Sequence, residues 1–262
     1  MFAPSQIAEN FIGVGEAKTG LKPLKMLVLA FIAGMFIALA GVTSTIAAVS
    51  VQAPSLAKLI SGAIFPAGLA MVIVAGSELF TGNCLIVVSV LARRVKLIKM
   101  VQNLVIVYFG NLLGALFVSA GVVYSHVPSL FGGQAAQVIV STAAAKATLP
   151  FGDALIKGIF CNILVCLGVW MAAASKDIGG KILALFFPVF LFVVCGFEHC
   201  IANMYYIPAG IMAAAEYGIT ADGLNLFGFF VTNLIPVTLG NIIGGSGIGA
   251  AYWFTYLQGK KE

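Results

Sequence analysis

The stretch Gly196-Phe197-Glu198-His199-Cys200-Ile201-Ala202-Asn203 decides how this chain folds. It places a carboxylate, an imidazole and an amide close together inside a long apolar segment. A charged side chain at the centre of a bilayer costs about 2.5–3.5 kcal/mol on insertion scales, so these groups should face protein or a water-filled path. The same frame occurs earlier as Gly76-Ser77-Glu78-Leu79-Phe80-Thr81-Gly82-Asn83. Polar interruptions at matching positions in two halves of a membrane chain predict a transport site near the middle of the membrane.

The composition is that of a helical membrane protein. Of the 262 residues, 61% are hydrophobic and only 9% are charged, with a mean hydropathy of +1.09. Apolar runs of about 20 residues indicate membrane-spanning helices. We interpret the first of them as a retained span rather than a cleaved signal peptide. The sequence shows no metal cluster, nucleophile–base pair, cofactor motif or nucleic-acid-binding patch, so we expect neither an enzyme nor a cofactor.

The hydrophobic pattern predicts one six-span channel domain, 26–258, with spans two and five broken at the two polar stretches. An amphipathic segment, 1–25, precedes it and acts either as a membrane anchor or as a lid beneath the pore. Residues 124–150 form a long loop between spans three and four. A short tail, 259–262, follows the last span.

The distribution of positive charge predicts the orientation. Six spans place both termini on one side, and 11 of the 14 lysines and arginines fall on that side. The three on the other side are Lys58, Lys146 and Lys157. Because short cytoplasmic loops are enriched in Lys and Arg, we predict a plasma-membrane protein with both termini in the cytoplasm.

The two halves, about 26–125 and 150–258, form an internal repeat. Asn103-Leu104-Val105-Ile106-Val107-Tyr108-Phe109-Gly110-Asn111-Leu112-Leu113-Gly114 matches Asn233-Leu234-Ile235-Pro236-Val237-Thr238-Leu239-Gly240-Asn241-Ile242-Ile243-Gly244. Spans one and four show no clear match. Because each half holds three spans, the second half enters the membrane upside down relative to the first, which gives an inverted repeat.

The repeated residues predict how the breaks are held. Unwound backbone inside a membrane must be buried in protein or line a cavity. We expect glycines to supply the backbone freedom of the breaks, namely Gly76, Gly82 and Gly196. We expect polar side chains to satisfy the backbone groups that the breaks release, namely Glu78, Asn83, Glu198 and Asn203. The alternative is that the glutamates handle the solute or a proton directly.

Four stretches carry a resemblance to a known family: 78–83, 157–167, 196–208 and 233–241. With them, the chain resembles the formate/nitrite transporter family along essentially its whole length. The resemblance implies an aquaporin-like protomer with its own pore, assembled as a homopentamer. It also implies passage of small monovalent anions of weak acids, such as formate, nitrite or hydrosulfide.

The resemblance also implies particular site residues. Those along the pore are Thr81, Lys157, Asn162 and His199. Those at the constrictions are Phe65, Leu69, Leu79, Val165 and Phe192.

We expect Lys157 to attract the anion, and His199 with Thr81 either to donate a proton to it or to stabilise it electrostatically. An imidazole ordinarily titrates near pH 6.5, and the position equivalent to His199 in the first half is Leu79. One alternative is an obligately proton-coupled symporter. Another is an aquaporin-like channel for neutral solutes, although the paired Asn-Pro-Ala breaks of that family are missing.

Overall fold

The computed structural model describes residues 1–259 and shows an all-helical chain, which confirms the predicted fold class. Of the predicted tail, all but Gly259 lies outside the described residues. The helices in chain order are α1 (Pro4–Thr19), α2 (Pro23–Ala48), α3 (Pro54–Ile64), α4 (Pro66–Ala75), α5 (Phe80–Asn83), α6 (Val87–Leu91), α7 (Leu97–Tyr124), α8 (Gln134–Ala147), α9 (Phe151–Ala174), α10 (Ile178–Val194), α11 (Cys200–Tyr217) and α12 (Ile235–Tyr256). A π-helical turn, Gly228–Leu234, leads into α12.

Five stretches of the described chain are long and apolar enough to cross a membrane. They are α2, the α3–α4 pair, α7, α9 and the segment Gly228–Tyr256 that contains α12. The shorter apolar helices are α10 and the segment Phe80–Leu91. The protein is therefore a multi-pass helical membrane protein. The count of six crossings stays a prediction, because the remaining crossing, the predicted span five, would have to be formed by α10 and α11 together.

The predicted loop 124–150 is wrong in its middle part, because residues 134–147 form α8. This segment is rich in alanine, the strongest helix former, and it buries a stripe of small and aliphatic side chains that includes Ile139, Val140 and Ala143. α8 packs against α11. Each half of the protein therefore opens with a helix that precedes its first span: α1 before α2, and α8 before α9.

The packing of the two halves is equivalent. α2 packs along α7 in the first half, and α9 packs along α12 in the second. The two halves meet where the Tyr108 and Thr238 hydroxyls lie 3.0 Å apart. These residues occupy the same repeat position, 130 apart (238 − 108), so their hydrogen bond lies on the pseudo-two-fold axis.

Two glycines form the backbone breaks. Gly76 has a φ of 80° directly after α4, and Gly196 has a φ of 67° between α10 and α11. This left-handed conformation costs glycine nothing and strains other residues. Gly82 does not share the predicted role, since it lies within α5 and has no positive φ. The first break therefore depends on Gly76.

Two further glycines allow close helix contact. A Cβ atom on Gly114 of α7 would collide with the carbonyl oxygen of Phe31 on α2, and one on Gly244 of α12 would collide with that of Ile159 on α9. Phe31 and Ile159 are 128 residues apart (159 − 31). This register between spans one and four is not evident in the sequence.

We expect Gly114→Ala and Gly244→Ala each to destabilise the protein by about 1–3 kcal/mol, because both helix pairs would have to separate. The measurement is the temperature at which half of the detergent-solubilised protein remains monodisperse. Gly121→Ala and Gly247→Ala are the matched controls on the same two helices, because a methyl group added at either position would have no neighbouring atom within 4 Å. Equal losses in the test and control variants would contradict this packing.

Candidate functional site

A buried ion pair holds the first break. The ammonium of Lys18, at the end of α1, donates to Glu78 at 2.8 Å, and the Asn83 amide donates to the other carboxylate oxygen at 2.7 Å. The same Asn83 amide donates to Asn103 at 2.8 Å. The break is thus tied to α1 and to α7.

The second break repeats this arrangement. The ammonium of Lys146, at the end of α8, lies 2.8 and 3.0 Å from the two carboxylate oxygens of Glu198. The Asn203 amide donates to Glu198 at 2.6 Å and to Asn233 at 2.8 Å. Lys18 and Lys146 are 128 residues apart (146 − 18), so one network occurs twice in opposite orientation.

Two asparagines support the backbone of the breaks. The Asn111 side chain accepts from the Phe80 amide at 3.0 Å and donates to the Glu78 carbonyl at 2.9 Å. Asn241 does the same in the second half for Cys200 at 2.9 Å and Glu198 at 3.0 Å. These contacts satisfy amide and carbonyl groups that the interrupted helices cannot satisfy.

Lys18 and Lys146 were not predicted from the sequence as partners of the glutamates, and the four asparagines outside the breaks stood out there only as repeat markers. A buried carboxylate needs a compensating cation, so the two glutamates were themselves a signal that partners existed. Their identity required the structure, because their spacing of 128 differs from the spacings of 120 and 130 that the sequence shows for the breaks and for the asparagines.

Two cavities approach the centre from opposite sides. The α1-side cavity has a volume of about 530 Å³, and its lining includes Lys18, Leu69 and Leu79. The α8-side cavity has a volume of about 410 Å³, and its lining includes Phe65, Phe192 and His199. Four of the five predicted constriction residues thus line a cavity, two in each. The fifth, Val165, is buried on α9 and lines neither.

Aromatic rings close the α8-side cavity at its inner end. The Phe65 and Phe192 rings meet edge to face at 5.7 Å, and the Phe192 ring stacks on His199 at 6.0 Å. On the opposite side the ends of Leu69 and Leu79 are aliphatic and buried. An anion that moves from one cavity to the other must therefore pass apolar surfaces.

A polar contact lies next to these apolar surfaces. Nε2 of His199 is 3.0 Å from the Thr81 hydroxyl oxygen, and both side chains are buried. Nδ1 of His199 accepts a hydrogen bond from the Ala202 amide at 3.1 Å, so the ring also caps α11. Because Nδ1 is an acceptor, the proton of the neutral ring lies on Nε2 and points to Thr81.

Asn162 and Lys157 lie on α9 near this contact without lining either cavity. The Asn162 amide donates to the Thr81 carbonyl at 3.2 Å and to the Asn241 carbonyl at 2.6 Å, which braces the two halves against each other. The backbone carbonyl of Lys157 accepts from the Glu198 amide at 3.3 Å. The predicted attraction of an anion by the Lys157 side chain stays untested.

The predicted pore residues are the positions at which the halves differ. His199 corresponds to Leu79 and Thr81 to Ile201, each 120 residues apart. Lys157 corresponds to Leu29, whose carbonyl accepts from the Glu78 amide at 3.3 Å in the same way. Asn162 corresponds to Gly34, where a Cβ atom would collide with the Asn111 carbonyl. The contacts that hold the breaks are therefore repeated in both halves, whereas the His199–Thr81 contact is not.

Two cavities separated by a buried polar contact, inside an inverted repeat with two broken helices, define a membrane transport protein. Residues 5–254 match the family model described as formate/nitrite transporter. The formate channel FocA of Haemophilus influenzae is 40% identical, with 87% of this chain and 85% of that protein covered. FocA of Escherichia coli is 37% identical, with 98% and 95% covered. The chain belongs to the formate/nitrite transporter family, whose matching relatives are channels and transporters rather than enzymes.

A solved structure described as a pentameric formate channel with formate bound has the same fold. It superposes with a TM-score of 0.80 at 35% identity, covering 90% of this chain and 98% of that one.

We expect Glu198→Gln to destabilise the protein by about 3–5 kcal/mol, because it leaves the Lys146 ammonium without its carboxylate. Replacing both partners, Glu198→Gln with Lys146→Met, should recover much of that loss. Thermal unfolding in detergent measures both variants.

The exposed pair between Glu16 and Arg94 (2.8 Å) is the control. Because exposed ion pairs contribute little, Glu16→Gln should change stability by less than about 1 kcal/mol. If Glu198→Gln is as mild as Glu16→Gln, the structural role of the glutamates is wrong.

Proposed function

We propose that this protein is a channel for small monovalent anions of weak acids, with formate as the substrate to test first and nitrite and hydrosulfide as further members of the class. The observation that carries the proposal is the buried His199–Thr81 contact, since His199 lines the α8-side cavity and Leu79 and Gly82, which flank Thr81 in the chain, line the α1-side cavity. The formate channels among its relatives support the choice of formate.

The site addresses the main obstacle to an anion, which is loss of hydration. Moving a bare ion into a medium of low dielectric carries an idealised penalty of order 20 kcal/mol. The aromatic and aliphatic surfaces described above exclude much of the water, so hydrogen-bond donors are needed between them. His199 Nε2–H and the Thr81 hydroxyl can provide them.

The hydrogen bonds of His199 favour a stabilising role over proton donation. An imidazolium carries protons on both nitrogens, so Nδ1 would have to give up the Ala202 amide that it accepts. A neutral ring keeps this cap and still presents Nε2–H to Thr81 or to an anion. We therefore propose that His199 stabilises the anion as a neutral donor.

Positive charge at the cavities would draw the anion in. Lys157 lies outside the cavity linings, so we assign the attraction to lysines that line them: Lys18, Lys25 and Lys181 on the α1 side, and Lys58 and Lys146 on the α8 side. Ammonium groups in a cleft with low-dielectric walls raise the local concentration of anions.

We further propose a plasma-membrane homopentamer with both termini, and hence the α1 side, in the cytoplasm. The pentameric formate channel of the same fold supports the assembly, and the charge distribution supports the orientation. α1 is positioned to act as a lid, because Phe11 lines the α1-side cavity and stacks on Trp170 at 4.8 Å. The Ser89 hydroxyl also donates to the α1 backbone at 3.0 Å.

Proteoliposomes containing the purified chain should release formate much faster than protein-free liposomes, and nitrite and hydrosulfide should compete with it. Osmotic swelling in glycerol should remain at the protein-free rate, which separates this proposal from a neutral-solute channel. Uphill accumulation of formate driven by a proton gradient would instead support the symporter. Formate release at the protein-free rate would contradict the proposed function.

His199→Asn should lower formate flux about tenfold while leaving the shape of its pH profile between pH 5.5 and 7.5 unchanged. Asparagine still caps a helix but lacks the ring Nε2–H, and one well-placed donor contributes roughly this much. Thr81→Val should act similarly, and Thr81→Ser, which keeps the hydroxyl, is its control. Loss of the pH dependence in His199→Asn would show that His199 is a proton donor instead.

A further inference from the structure

Lys58 lies where an anion enters the α8-side cavity. It is an exposed residue on α3, and its side chain lines this cavity together with Lys146. Its Nζ reaches towards the second break, since a Cβ atom built on Gly196 would lie 3.9 Å from it. The exposed Lys58 therefore lines the same cavity as the buried ring pair of Phe65 and Phe192.

The two lysines of this cavity differ in their partners. The Lys146 ammonium donates to both carboxylate oxygens of Glu198, and its Nζ lies 5.3 Å from the centre of the Tyr206 ring. Within residues 1–259, the Nζ of Lys58 donates no hydrogen bond and has no carboxylate oxygen within 4 Å. Lys146 therefore forms a direct ion pair, whereas Lys58 forms none among the described residues.

We propose that Lys58 is the residue that captures the anion on the α8 side, and that the Lys146–Glu198 pair serves mainly to hold the break. The inference rests on the proposed anion-channel function. An ammonium without a partner offers three free N–H donors to a carboxylate or a similar oxyanion. The capture site is thus a single cation beside the aromatic constriction.

The α1 side is built differently. Its cavity is lined by two lysines without an ion-pair partner among the described residues, Lys25 and Lys181, in addition to the paired Lys18. Removing one charge should therefore matter more on the α8 side. Under a strong driving force, entry limits the flux and each direction depends on the cavity from which the anion enters.

The test is formate current through the reconstituted full chain in a planar bilayer at positive and negative voltage. In about 20 mM formate, Lys58→Met should lower the current carried by formate entering from the α8 side about threefold, and the opposite current much less. The variant should therefore rectify relative to the unmodified protein. In about 1 M of an impermeant salt, where the screening length is about 3 Å, the difference should disappear.

Lys58→Cys fixes the side and checks that the charge is the cause. A membrane-impermeant trimethylammonioethyl thiosulfonate, whose charge is permanent, should restore the lost current when added to the α8 side, and a neutral methyl analogue should not. The unmodified chain receives the same reagents because Cys195 is also exposed. Lys58→Arg is the matched control, since it keeps the positive charge at the same place in the cavity lining.

Symmetric currents in Lys58→Met at low salt, or equal rectification in Lys58→Arg, would overturn the inference while the unmodified protein still conducts formate. An unmodified protein that passes no formate would overturn the proposed function, and this inference with it.

Discussion

The fold depends on two carboxylates that are buried inside the membrane part of the protein. Each one binds a lysine from a short helix and an asparagine from the helix that follows the break. A buried charge without such partners is unfavourable. Glu78 and Glu198 therefore fix where α1, α8 and the broken helices lie, and the cavities follow from that placement.

The residues that hold the two breaks in place are repeated in both halves, whereas the residues proposed for transport are not. The ion pairs, the supporting asparagines and the close-packed glycines are repeated in both halves. The residues proposed to face the transport path differ between the halves: His199 corresponds to Leu79, and Thr81 corresponds to Ile201. Stability and transport can therefore be changed by different substitutions, a separation that single-copy sites seldom offer.

Hydropathy and the repeated Gly-x-Glu-x-x-x-x-Asn frame were sufficient to predict an all-helical fold and two broken helices. The same frame identified the polar groups of the breaks, because a polar side chain in an apolar segment must face protein or a water-filled cavity. It could not identify Lys18 or Lys146, whose partners are distant in sequence. The prediction for Gly82 was wrong, because a glycine in a motif does not by itself indicate a left-handed backbone conformation.

The hydroxyls of Tyr108 and Thr238 meet on the pseudo-two-fold axis. In a dimer of two identical half-length chains, this axis would place each side chain against a copy of itself, either tyrosine on tyrosine or threonine on threonine. A mixed pair requires two halves of different sequence, which this single polypeptide supplies. Because the Tyr108–Thr238 pair is not symmetric, the two sides of the protein differ even on the axis that relates its halves.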